Sequence, residues 1–253
     1  MIQSRSPSVA RFDARADAYL SSAVHADGPE LGALRERLRE QPGTDVLDLG
    51  CGAGHVSFQI AADAREVIAY DPSPRMLNVV GREAHARGLN NIRPVQGVAE
   101  ALPFADDRFD FVFSRFSAHH WTDLNLASRE ARRVLKPTGI ACFIDVVAPE
   151  QPVLDTVLQT MEILRDPGHV RDYSVAQWCR QLGEAGFVLA TQERRRLQLV
   201  FADWVERIQT PPSLGEAIRI LQANSAPAVQ RYFAFQPDGS FSCDVQTFWA
   251  TVA

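Results

Sequence analysis

Residues 46–55 read VLDLGCGAGH, an apolar run that ends in glycines at three alternate positions, Gly50, Gly52 and Gly54. No other stretch limits the fold so strongly. Glycine loses more conformational freedom on ordering than any other residue, so such a run marks a backbone that must bend where side chains do not fit. A strand, a bare loop and a helix in that order make a turn on which a ligand can lie against the main chain. The run carries one acidic residue, Asp48.

The chain downstream repeats the rhythm. Short β-like runs at 45–49, 66–70, 92–96, 109–114 and 139–147 alternate with helical patterns at 74–87 and 124–135. Strands apolar on both faces, separated by amphipathic helices, predict a parallel sheet covered on both sides. Ser73 is placed to cap the helix that begins at Pro74, and Gly88 to end it. Lys136-Pro137-Thr138-Gly139 predicts a break between helix and strand. Beyond residue 150 the spacing predicts helices at 153–164 and 175–185, a strand at 187–192, helices across 201–235 broken at Pro211-Pro212 and Pro227, and a final strand at 240–252. Residues 1–40 read as helical, with Phe12, Tyr19 and Leu20 on one face.

Bulk properties exclude several function classes. The 253 residues are enough for one sizeable core, with or without an appended cap. A net charge of −5 exerts no overall pull toward nucleic acid or an anionic membrane. The densest basic run, Arg194-Arg195-Arg196, reads as a solvated strand end. Cys51, Cys142, Cys179 and Cys243 are scattered and form no C-x-x-C pair, which fits reduced thiols in a cytoplasmic protein. No His, Asp or Glu group has metal-ligand spacing in sequence, so no metal is expected. The N-terminus lacks the apolar core of a signal peptide, and the apolar run 140–147 is broken by Asp145 and too short to span a bilayer. Oligomeric state is not encoded in any readable pattern, and a dimer stays open.

Two ligand classes lie on such a glycine turn, a dinucleotide or another adenosine cofactor. The dinucleotide fingerprint is G-x-G-x-x-G; here the third glycine comes one residue early, and His55 stands in its place. Asp71 ends the next strand, 21 residues after Gly50. A carboxylate there accepts hydrogen bonds from both hydroxyls of a ribose. The pattern favours a ribose-bearing ligand over a pyrophosphate.

VLDLGCGAGH, then VIAYDPSPRML, QGVAEALPFADDRFDFVFSRFSAHHW and REARRVLKPTG, in that order, resemble the class I S-adenosylmethionine-dependent methyltransferases. The likeness is to the type 11 group, which includes the ubiquinone/menaquinone C-methyltransferases and YafE-type bacterial methyltransferases. It continues through RDPGHVRDYS and ADWVERIQTPP over nearly the whole chain. The resemblance implies an α/β fold: a Rossmann-like, seven-stranded, mostly parallel sheet with helices on both faces and a helical cap. It divides the chain into an N-terminal helical lid (1–40), a cofactor-binding core (41–150) and remaining strands with a substrate cap (151–253), all in one structural domain. It implies S-adenosylmethionine as cofactor and S-adenosylhomocysteine as product. Asp48, Gly50, Cys51, Gly52 and Gly54 would border the methionine part. Asp71, followed by Pro72, would hold the ribose, and Met76 with Gly97, Val98 and Ala99 would meet the adenine. Ser114 and Arg115 would face the sulfonium side. Relatives often carry an aspartate where Val98 stands, which leaves backbone groups to read the adenine. Tyr19 would belong to the lid; packing of Phe12 and Tyr19 on the sheet is the alternative.

A sulfonium is a strong methyl donor, so the protein must mainly align acceptor and methyl about 3 Å apart and exclude water. A base is needed only where the acceptor starts protonated. Candidates past the fourth strand are Arg115, His119, His120 and Trp121, with one histidine expected to face the pocket. Capping or packing is the alternative for the histidines. For Arg115 the alternatives are an anionic substrate or a salt bridge to a carboxylate such as Asp123. Cys51 lacks a base partner and is not read as a nucleophile. His55 is read as the start of a helix, and His169 as a loop residue near the cap. Trp178, Phe201, Trp204, Tyr232 and Phe233 give the cap an aromatic interior, either plain core or substrate wall. An apolar or aromatic small acceptor suits this composition better than nucleic acid or protein. The competing functions are a nicotinamide-dependent oxidoreductase and a cofactor-binding relative without transfer activity.

Overall fold

Strand β1 (Asp45–Leu49) is buried at every position. Such a strand needs a neighbour along each edge and a helix over each face. The computed structural model, which describes residues 28–253, supplies all four. Beside β1 run β2 (Glu66–Asp71), β3 (Ile92–Gln96), β4 (Phe109–Arg115), β5 (Leu135–Val147), β6 (Phe187–Leu199) and β7 (Phe241–Val252). They form one seven-stranded sheet in the order β3-β2-β1-β4-β5-β7-β6. The first five are parallel, and β7 is antiparallel to both its neighbours. Strand order turns between β1 and β4, and a ligand crevice opens at such a switch point beyond the carboxyl ends of the strands.

The helices are α1 (Pro29–Arg39), α2 (His55–Ile60), α3 (Pro74–Ala86), α4 (Leu124–Val134), α5 (Pro152–Arg165), α6 (Val175–Glu184), α7 (Phe201–Glu206), α8 (Pro212–Asn224) and α9 (Pro227–Phe233). Alternation along each strand feeds two cores. Val46, Val67, Phe111, Phe113, Cys142 and Ile144 pack on one face with Leu34 and Leu38 of α1, Ile60 of α2 and Met161 of α5. Leu47, Ile68, Val112, Ala141 and Phe143 pack on the other with Ala127 and Ala131 of α4 and Trp178 of α6. The caps follow local chemistry: Ser73 Oγ accepts from the Met76 amide at 3.1 Å, and Gly88 ends α3 with φ +69°.

Two expectations change, and one falls outside the described residues. The arginine run does not end a strand; it lies within β6, where β7 pairs with it along its length. Arg196 reaches Asp244 Oδ1 at 3.0 Å, Arg195 reaches Glu30 Oε1 at 2.9 Å and Arg194 lies 3.9 Å from Asp244 Oδ2, so acidic partners meet all three charges. Lys136–Gly139 does not break the chain before β5 but is its first segment. Between the pairs Phe109↔Leu135 and Phe111↔Ile140 the register shifts, and the extra residues bulge. Of the N-terminal segment, α1 falls within the described residues; the placement expected for Phe12, Tyr19 and Leu20 lies outside them.

Trp178 is 1% exposed and joins sheet to helix, with its ring 5.3 Å from Phe248 and 5.7 Å from Phe143. Trp178→Ala is expected to cost about 3–5 kcal/mol of folding stability, measured by equilibrium urea unfolding.

Candidate active site

The glycine loop after β1 is held by the tip of β2. Gly50 and Cys51 both donate backbone hydrogen bonds to the Tyr70 carbonyl, at 2.8 and 3.0 Å. Asp71 takes the Gly52 amide on one oxygen and the Ser73 amide on the other, each at 2.9 Å. The three glycines have φ +75°, +51° and +90°, a region costly for residues with a Cβ. Their surroundings differ. A Cβ on Gly50 would collide with Ser117 Oγ, and one on Gly54 would crowd Phe58 and Val80. A Cβ on Gly52 would meet nothing within 4 Å, because that face borders the cavity.

Asp48 has a task the sequence does not show. Gly54 precedes α2 and has no side chain to cap it. Asp48 Oδ2 does this from the strand, accepting from Ser57 N at 3.0 Å and Ser57 Oγ at 2.6 Å. Burial raises its pKa to about 7 against the opposing effect of those bonds.

A cavity of about 370 Å³ runs from this loop across the ends of β1, β2 and β4. Of the residues expected at the cofactor, Asp48, Gly50, Cys51, Gly52, Asp71, Pro72, Met76, Val98 and Ala99 line it. Gly54 does not; it shapes the loop from behind. Ser114 does not either. It is 2% exposed, and strand alternation turns it from the cavity while its neighbour Arg115 lines the wall. Tyr19 lies outside the described residues. Val98 is 51% exposed, and its carbonyl accepts from the Tyr70 hydroxyl at 3.2 Å. Gly97 is needed there, because a Cβ would collide with that same hydroxyl.

Past β4, Phe116 takes φ +53°, and the following turn forms the far wall. Arg115 pairs with Glu30 of α1, with Nε and one terminal nitrogen at 3.0 and 2.9 Å from Oε1, and not with Asp123. Asp123 instead caps α4 through the Leu126 amide at 3.0 Å. His119 and His120 both line the cavity, where one was expected, because a tight 3-10 turn brings both to the rim. Their rings lie 4.2 Å apart but bond in different directions. His119 Nδ1 lies 2.7 Å from Asp145 Oδ1, and His120 Nδ1 donates to the Gly168 carbonyl at 3.1 Å. Burial alone would lower the pKa of His119, but the Asp145 carboxylate lifts it to about 9. Burial and the neighbouring His119 push His120 down to about 3. Near neutral pH His119 therefore carries a proton that Asp145 stabilises, while His120 stays neutral.

Sequence spacing hid the rest of this end. Glu162 and Arg165 of α5, Asp172, Trp204 and Arg207 also line the cavity. His119, Asp145 and Asp172 bring their donor atoms within 4.8 Å of one another, a grouping that positions so far apart do not announce. Of the cap aromatics only Trp204 reaches the wall. Trp178 and Phe233 are fully buried core, and Phe201 and Tyr232 pack against the core.

A family model described as a methyltransferase domain matches residues 47–143. The uncharacterised protein YafE of Escherichia coli K12 is 46% identical over 196 residues, 78% of this chain and 95% of that protein. The crystal structure of YcgJ from Bacillus subtilis superposes with a TM-score of 0.83 at 31% identity, covering 87% of this chain and 96% of that one. That of a putative methyltransferase, BH2331, from Bacillus halodurans C-125 gives 0.84 at 29% identity, covering 88% and 98%.

Gly50→Ala combines an unfavourable φ with the collision at Ser117. It is expected to lower folding stability by about 2–4 kcal/mol in equilibrium urea unfolding.

Proposed function

Because the chain belongs to the class I S-adenosylmethionine-dependent methyltransferases, we propose that it methylates a small molecule held between the glycine loop and His119. S-Adenosylmethionine is the cofactor of this enzyme class and supplies an electrophilic methyl group when bound. The residues present suit it. One wall of the cavity is bare backbone at Gly52, and the Asp71 carboxylate lines the cavity beside it, where a ribose would lie. Met76 and the 97–99 backbone would then flank the adenine, as the resemblance implies. The observation that carries the reading is that one cavity joins this loop to a histidine oriented by a carboxylate.

The protein's part is alignment and proton handling. Its walls hold the acceptor atom in line with the S–CH3 bond and keep water out, which is worth several kcal/mol, roughly 7 or more in favourable cases. Asp145 fixes the His119 ring through Nδ1, so Nε2 is the nitrogen that takes a proton from the acceptor. The apolar part of the acceptor lies against Val146, Leu197, Leu199 and Trp204.

Calorimetric titration of the purified chain with S-adenosylhomocysteine and with NAD tests the cofactor, and transfer of labelled methyl to a metabolite extract tests turnover. Binding of NAD alone would overturn the reading. Asp71→Ala is expected to weaken S-adenosylhomocysteine binding by about 1–3 kcal/mol. Proton uptake by His119 fixes a pH signature. The neutral imidazole is the base, so kcat/KM rises with pH and levels near the pKa of about 9. Asp145→Asn removes the raising charge, so the rise moves to lower pH and the plateau falls. That displacement between the two enzymes is independent of the acceptor's own titration.

A further inference from the structure

Among the described residues, Asp172 in the cavity wall has a buried side-chain oxygen with no hydrogen-bond partner. Asp172 is 2% exposed, its Oδ2 is wholly buried, and its carboxylate accepts no hydrogen bond among the described residues. Burial, with Glu162 and Asp145 nearby, pushes its pKa well above the ordinary carboxylate range, so the group by itself holds a proton there, and a cation seated beside it draws that pKa back down. Its backbone is clamped on both sides by Gln159, through amide and carbonyl at 3.2 and 2.8 Å. The side chain is thus held in place, and the cavity opens onto it.

Each nearby cation is engaged elsewhere. His169 Nε2 is 4.0 Å from Asp172 Oδ2 but donates to Gln159 Oε1 at 2.9 Å. Burial depresses the His169 pKa to about 2, so it brings no charge. Arg171 binds Asp155 at 2.7 Å. Arg165 donates to the Trp204 carbonyl at 3.0 Å and pairs with Glu162 at 3.5 Å. His119 and Asp145 satisfy one another, and Asp145 also accepts from Val146 N at 2.8 Å. Of the three clustered donors, Asp172 alone is left with nothing to hold. That is a single carboxyl group beside a base, ionised when a cation sits against it, and not a completed metal-ligand set.

We infer that the methyl acceptor carries a basic nitrogen, bound as an ammonium with Asp172 as its counter-charge. The inference rests on the methyl-transfer reading and names the acceptor class for it. The ammonium gives one proton to neutral His119 Nε2. The freed nitrogen lone pair forms the N–CH3 bond while the S–CH3 bond breaks, with its electron pair left on sulfur. The product is a methylated ammonium that keeps its pairing with Asp172, and imidazolium at His119 later releases its proton to water. An alcohol brings no positive charge to Asp172, and a carboxylate acceptor is repelled by it.

The test uses the full chain, first titrated with S-adenosylhomocysteine and then, saturated with it, with sets on one skeleton: 2-phenylethylamine, 2-phenylethanol and phenylacetate, and hexylamine, hexanol and hexanoate. Each amine is expected to bind at least tenfold tighter than its alcohol and carboxylate. Asp172→Asn is expected to erase that preference while S-adenosylhomocysteine affinity and the unfolding midpoint stay unchanged, and Asp172→Glu to retain part of it. Equal or better binding of the alcohols or carboxylates overturns the inference. So does a preference that survives Asp172→Asn, or no amine binding in a chain that holds S-adenosylhomocysteine. Zn2+ or Mn2+ bound at one ion per chain and lost in Asp172→Asn assigns the carboxylate to a metal and overturns it as well. Failure to bind S-adenosylhomocysteine refutes the methyl-transfer reading at the first step, and the acceptor inference with it.

Discussion

The tip of β2 holds the rest of the site in place. The Tyr70 carbonyl takes two amides of the glycine loop, and the Asp71 carboxylate takes a third together with the Ser73 amide. A loop of left-handed glycines has little conformational preference of its own, so without this brace it would sample many shapes. With it, the loop leaves one open face at Gly52 and closes its other faces against Ser117, Phe58 and Val80. Asp48 completes the brace by capping α2 from within the sheet. The same two acidic residues thus build the loop and border the space over it.

Burial sets the electrostatics of the other end, and single neighbours decide its sign. His119, His120 and His169 sit close together, with the His119 ring 4.2 Å from His120 and 5.9 Å from His169. Burial lowers the pKa of all three, yet Asp145 turns His119 the other way. One of three similar rings thereby holds a second proton near neutral pH, and the other two are neutral hydrogen-bonding groups. Arg115 lines the same cavity, but Glu30 meets its charge and also binds Arg195 of β6. This buried group ties α1 to the sheet beside the site, a use of charge that fixes geometry more than it adds stability.

Much of this architecture was readable in the residues. Strands buried on both faces, as β1, β2 and β4 nearly are, show mostly apolar runs, and β1 to β4 fall within a residue of their expected bounds. Where the run carries charge or a bulge, pattern alone fails. Three consecutive arginines have no period, so β6 looked shorter than it is, and only pairing with β7 shows why it continues. The Lys-Pro-Thr-Gly segment reads as punctuation, and the sheet absorbs it as a register shift. Ser114 and Arg115 were both expected at the cavity, and strand parity separates them, since only one face of β4 meets it.

From its residues alone the chain determined a parallel α/β core, a loop that only glycine can form, and an acidic side chain at the next strand tip. These are local constraints, written in φ, in hydrophobic period and in short spacing. Tertiary structure decided the partnerships. Pairing of Arg115 with Ile144 brings Asp145 beside the turn that bears His119. The loop after α5 carries Asp172 to the same cavity, and α1 carries Glu30 to Arg115. Each joins residues distant in sequence, and no local rule records which of many charged side chains will meet once the sheet has formed.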